Sequence, residues 1–132
     1  MFLIDLFFTR NVFLAENGSI KVGDFGVSKL IDSTVNISTY AGTFEYMSPE
    51  VRDHKIYSFN TDCWSLGCVL YELITLVKFH NRSRSTVDEI QTEISNLETS
   101  DLCKQLLVMM LQIDKANRAE SYRLFKMFDK IN

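Results

Sequence analysis

Gly23-Asp24-Phe25-Gly26 joins a short β-prone hairpin to a long polar loop, and the rest of the chain is arranged around that junction. Asp24 follows Asn11 by thirteen residues and precedes Ser48-Pro49-Glu50 by twenty-four. Between Asn11 and Asp24, Val12-Phe13-Leu14 and Ile20-Lys21-Val22 flank Asn17-Gly18, whose tolerance of positive φ suits a tight hairpin turn. After Gly26, residues 27–43 are rich in Ser, Thr, Asp and Asn with no sustained period, which marks a loop. Loops of that length are functional or disordered.

Helices are expected beyond the loop. Thr61-Asp62 can cap one running to about Leu76, and Trp64, Leu66, Cys68, Val69, Leu70, Tyr71, Leu73 and Ile74 leave it almost no polar face, so it belongs in the centre of the molecule. His80 to Ser85 form a polar linker. Thr86-Val87-Asp88-Glu89 then reads as a capping box opening an amphipathic helix with Val87, Ile90, Ile94 and Leu97 on one side. Ser100-Asp101 begins another, apolar through Leu106, Leu107, Met110 and Leu111, and a last helix spaces Tyr122, Phe125 and Phe128 three apart. The expected architecture is mainly α, a helical bundle with one small β-hairpin at its N-terminal edge.

The composition narrows the function classes. At 132 residues and 46% hydrophobic content the chain suffices for one domain with a real core. A net charge of −3 gives no electrostatic support for nucleic-acid binding. The apolar run around residues 69–77 is too short for a membrane span and contains Glu72. Cys63, Cys68 and Cys103 are odd in number, lack metal-site spacing and read as reduced core residues. Residues 1–8 are apolar but lack a basic first region and a cleavage site, so no secretion signal is read there. An intracellular, cytoplasmic protein is expected.

An Asp delivered by a strand into a turn beside an Asn offers two oxygen ligands suited to Mg²⁺. The triplet alone is weak evidence, since a hairpin exit with a turn glycine also explains it. Its joint spacing with other motifs is stronger. Asn11-Val12-Phe13-Leu14, Gly23-Asp24-Phe25-Gly26, Gly42-Thr43-Phe44-Glu45-Tyr46-Met47-Ser48-Pro49-Glu50, Asp62-Cys63-Trp64-Ser65-Leu66-Gly67 and Arg118 stand in the order and spacing of eukaryotic protein kinases. The wording of the Tyr46 to Glu50 and Trp64 to Leu73 segments is most similar to the NimA-related serine/threonine kinases.

The resemblance runs from Thr9 to the C-terminus and covers a kinase C-terminal lobe, with residues 1–8 not matching. It implies a metal-binding hairpin over 11–26, an activation segment over 24–50 and a helical subdomain over 61–132. Asp24 would chelate the Mg²⁺ that bridges the ATP β- and γ-phosphates, Asn11 would hold a second ion, and Phe25 and Gly26 complete the cofactor-binding motif. A hairpin-start turn residue is the plainer reading of Asn11. Thr43 would position the substrate hydroxyl, and Phe44 to Met47 would line the pocket beside the acceptor. Glu50 and Arg118 would form a buried pair anchoring the activation segment. Asp62 would accept backbone hydrogen bonds from the catalytic loop, although a helix cap predicts the same residue. Thr39 occupies a common phosphorylation position, with Ser33, Thr34 and Ser38 competing.

Departures lie upstream. Counting back five residues from Asn11 puts Leu6 where the family has its catalytic base, and Phe8 where a basic residue supports the γ-phosphate. Asp5 is one residue out of register and stands where the arginine partner of a phosphorylated Thr39 belongs. Only ten residues precede Asn11, where the family has a nucleotide-binding lobe. The common family prolines are replaced by Phe44, Phe79 or His80, Lys115 and Ala119, which permits lower stability. Three readings follow. The chain is part of an ATP-dependent serine/threonine kinase that acts on protein Ser/Thr acceptors; or it is a non-catalytic module that engages a protein partner through the surface facing the small lobe, around Val12, Leu14 and Phe25; or it is a decayed fragment.

Overall fold

The computed structural model describes residues 11–23, 44–53, 58–79 and 86–129. Among them lie a two-stranded antiparallel sheet, β1 (Val12–Leu14) and β2 (Ile20–Val22), and five helices: α1 (Pro49–Arg52), α2 (Phe59–Thr75), α3 (Val87–Ser95), α4 (Asp101–Met110) and α5 (Ser121–Asp129). A 3₁₀ turn, Phe44–Tyr46, precedes α1. This is the mainly α architecture with a small hairpin at its N-terminal edge that the sequence implied. No helix of the described residues is long and apolar enough to cross a membrane.

In the hairpin, Val12 pairs with Val22 and Leu14 with Ile20. The connection is not the two-residue Asn17-Gly18 turn expected from the sequence. Gly18 N–H donates to the Ala15 carbonyl and Ala15 N–H to the Ser19 carbonyl, both at 2.8 Å, so Glu16, Asn17 and Gly18 form a three-residue loop. Gly18 alone takes positive φ there, at 78°, while Asn17 Oδ1 accepts from Ser19 N–H at 3.0 Å. An Asn that bonds its own loop in this way has no need of the left-handed region.

The central helix α2 packs against α4, α5 and the 3₁₀ turn. Its start corrects the expectation of a Thr61-Asp62 cap. Ser58, in extended conformation, is the N-cap, and its N–H donates to Thr61 Oγ1 at 3.1 Å, which leaves Asp62 within the first turn. Trp64, Cys68, Val69 and Tyr71 enter the main core with Tyr46, Phe79, Ile90, Ile94, Leu107 and Leu111. The helix is not buried on every side, because Leu73 is 60% exposed and Leu66 is open as well.

Gly67 is what lets α2 and α4 meet. A Cβ there would lie 2.9 Å from Met110 Cβ and 2.9 Å from Leu111 Cδ2. The leucine tip can swing away, but Met110 Cβ is tied to backbone, so α4 would have to shift. Overpacking costs about 1–3 kcal/mol, against about 1 kcal/mol gained from helix propensity. Gly67→Ala is therefore expected to bring no gain and a net loss of up to about 2 kcal/mol by these two magnitudes, read from urea unfolding.

The caps of α3 and α4 follow the sequence. Thr86 Oγ1 accepts from Glu89 N–H while Glu89 Oε2 accepts from Thr86 N–H, each at 3.2 Å. Ser100 Oγ accepts from Cys103 N–H at 3.3 Å. Ile90 and Ile94 are buried, as are Leu106, Leu107 and Met110. On α5 the aromatic spacing misleads. Leu124 is the buried residue, packed with Cys63, Leu106, Met110 and Ala119, whereas Tyr122 and Phe125 face solvent. Of the three free cysteines, Cys63 and Cys68 are buried and Cys103 is half-buried on α4, short of the core position expected for it.

Candidate active site

Glu50 sits in the second position of α1, which Pro49 opens with the fixed φ suited to a first turn. Its carboxylate meets Arg118 in a bidentate pair, Nη1 to Oε1 at 2.7 Å and Nη2 to Oε2 at 2.9 Å. Both groups are buried, Glu50 to 6% and Arg118 to 3% exposure. Arg118 also donates from Nε and Nη2 to the Gln112 carbonyl, at 3.0 and 2.9 Å, and from Nη1 to the Asn60 carbonyl at 3.0 Å. Its guanidinium lies over the Trp64 ring, 5.1 Å from the centroid. Thr61 Oγ1 donates to Glu50 Oε1 at 3.0 Å. One cluster thus ties the end of the 44–53 segment, the start of α2 and the α4–α5 loop together.

Burial pushes the Glu50 carboxyl up, but the hydrogen bonds and positive charge of Arg118 outweigh it and hold the group below the usual carboxylate range. The nearby Cys63 thiol is pushed up by burial and then by the Asp62 charge, so it stays neutral and unreactive near pH 7.

The 3₁₀ turn before α1 is fastened at two points to α2 and at a third to the loop that follows it. Ser65 Oγ donates to the Tyr46 carbonyl at 2.9 Å, the Tyr46 hydroxyl donates to Glu72, and Lys78 pairs with Glu45. Tyr46, Met47 and Ser48 are buried. At the other edge, Gly23 N–H donates to the Asn11 carbonyl at 2.8 Å, closing the hairpin at the residue just before Asp24. Asn11 is buried, and its amide nitrogen has no hydrogen-bond partner among the described residues. That nitrogen is a donor and calls for an acceptor such as a phosphate or water oxygen, while the carboxamide oxygen is the atom of Asn11 whose chemistry fits the implied Mg²⁺.

Asp24, Phe25, Gly26, Thr39 and Thr43 lie outside the described residues, as do Asp5 and Leu6. Of the residues singled out from the sequence, the structure brings Glu50 and Arg118 together and places Asp62 half-buried in the first turn of α2. Asn60 and Gln112 were not singled out, while Thr61 was read only as a helix cap and Ser65 only as part of a motif. Ser58-Phe59-Asn60-Thr61 did carry a signal, a Ser three residues before a hydroxyl partner, but backbone carbonyls have none.

A helical body whose buried arginine clasps the glutamate of a Ser-Pro-Glu turn, with an Asn-led hairpin at its edge, defines the C-terminal lobe of a protein kinase domain. The chain belongs to that family: the protein kinase domain model matches residues 8–127. Its relatives are NimA-related. It is 54% identical over 64 residues to the G2-specific protein kinase nim-1 of Neurospora crassa, covering 48% of this chain and 8% of that protein. It is 46% identical over 69 residues to the serine/threonine-protein kinase Nek1 of Mus musculus, covering 52% of this chain and 6% of that protein. Over 125 residues, 83% of this chain and 11% of the relative, it is 42% identical to the probable serine/threonine-protein kinase nek3 of Dictyostelium discoideum. The chain thus spans about a tenth of the length of these curated relatives.

Proposed function

We propose that this chain is the C-terminal lobe of an ATP-dependent serine/threonine protein kinase of the NimA-related type, with residues 24–50 as its activation segment. The observation that carries the reading is the Glu50–Arg118 clasp, which fastens the end of that segment to the helical body. Mg·ATP, when bound, supplies the γ-phosphoryl group. Asn11 and Asp24 would hold the metal ions, with Phe25 and Gly26 shaping the turn that presents Asp24. Thr43 would orient the acceptor hydroxyl of a protein substrate, Phe44 to Met47 would form the wall beside it, and phosphorylation of Thr39 would regulate the segment. The cytoplasm is the proposed compartment, with neither nucleic acid nor membrane as a partner.

Leu6 in the position of the base favours a second reading for these 132 residues by themselves, a non-catalytic protein-binding module. Without a base the transfer slows by on the order of 10²–10⁴-fold. Thermal unfolding with and without saturating Mg·ATP tests the two. A ligand at a hundred times its Kd stabilises by about 2.7 kcal/mol. We expect no shift for this chain; a clear one would make the isolated lobe a nucleotide binder and leave the missing base as the sole support of the second reading.

A further inference from the structure

The 3₁₀ turn 44–46 carries one charged residue, Glu45, and Lys78 from the loop after α2 pairs with it. The next residue is anchored independently, because Tyr46 is held through its carbonyl by Ser65 and through its hydroxyl by Glu72. The place of Glu45 is therefore set by the Tyr46 anchors, and what Lys78 contributes is its charge. The two side chains are 42% and 34% exposed, open enough for an approaching peptide to reach them. Glu72, the other carboxylate at the turn, accepts from the Tyr46 hydroxyl.

The geometry points to Lys78 as a specificity-determining residue. It cancels the Glu45 charge on the acceptor wall, so that the wall does not select basic residues beside the receiving Ser or Thr. This inference rests on the reading of Phe44 to Met47 as the acceptor wall. Removing the ammonium while keeping an unbranched stem, as in Lys78→Met, leaves a fixed surface carboxylate that attracts a guanidinium and is screened by salt.

Two fluorescein-labelled serine peptides serve as probes, identical except that one carries arginine and the other norleucine on each side of the serine. Their binding to the full chain is read by fluorescence anisotropy, so catalysis is not needed. The expected result is that Lys78→Met raises the arginine-over-norleucine affinity ratio by about threefold to fivefold, the size of a surface charge pair. Added Glu45→Gln should abolish the gain, and so should about 1 M salt, where the Debye length falls to about 3 Å. An unchanged ratio with both peptides still bound overturns the role of Lys78 and leaves the acceptor wall standing. Failure of either peptide to bind the wild-type chain overturns the acceptor wall itself, and the inference with it.

Discussion

Arg118→Met is expected to lower the unfolding free energy by about 3–5 kcal/mol, because it strands a buried carboxylate without its counter-charge. The loss is larger than for a surface pair, which is worth about 0–1 kcal/mol. Glu50 is 6% exposed and cannot turn to water for replacement hydrogen bonds. The guanidinium also donates to the Gln112 and Asn60 carbonyls, so its removal takes hydrogen bonds from two further segments. Trp64, the sole tryptophan and fully buried, provides the readout through its fluorescence in a urea titration. The double variant Glu50→Leu with Arg118→Met should lose clearly less than Arg118→Met alone, since no uncompensated charge remains. Equal losses would show that packing rather than charge is what Arg118 supplies.

The same pair sets an acid limit. Because the folded Glu50 carboxyl titrates below its unfolded value, its contribution is complete above the unfolded value near pH 4.3. It fades as pH falls through the lower folded value. Wild-type stability should therefore drop on acidification below about pH 4.3, and the slope should be shallower in the Glu50→Leu, Arg118→Met variant.

Phe79→Ala is expected to cost about 3–5 kcal/mol, the range for truncating a buried aromatic. Phe79 follows the C-terminus of α2 yet is only 2% exposed, and its ring meets Tyr71 at 5.1 Å and Trp64 at 5.9 Å, both edge to face. Each such pair adds about 0.5–1.5 kcal/mol beyond the area buried. Phe79→Leu, which keeps most of the apolar volume, should lose markedly less. Urea unfolding of both variants checks this, and a loss under about 1 kcal/mol for Phe79→Ala would mean that the ring packs against nothing it needs.

Much of this was legible before any coordinates. Thr86 with Glu89, and Ser100 ahead of Asp101, announced the starts of α3 and α4 because a cap is a local bargain between a side chain and N–H groups two or three residues away. The hairpin's existence was also local, although its loop was one residue longer than Asn17-Gly18 suggested. The α2 start was missed by three residues, since Ser58 competes with Thr61 and Asp62 for the cap and nothing in the local pattern ranks them. On α5 two apolar stripes overlap, one through Tyr122 and Phe125 and one through Leu124 and Met127. Contact with Leu106 and Met110 selects the second. Phe79 looked like a loop residue standing where a relative would have proline, because no periodicity marks a lone aromatic after a helix.

From its order of residues alone, this polypeptide determined the identity and order of its four longer helices, the hairpin, and a set of spaced motifs that names the kinase family. All of these are encoded at separations of a few residues or in the spacing itself. Only the tertiary structure decided which groups share the buried charge of Glu50 and Arg118, sixty-eight positions apart. It alone brought Thr61, Asn60 and Gln112 to them and chose the inward face of α5. Those choices are made by burial, which demands that every charge leaving water find partners wherever the chain can supply them.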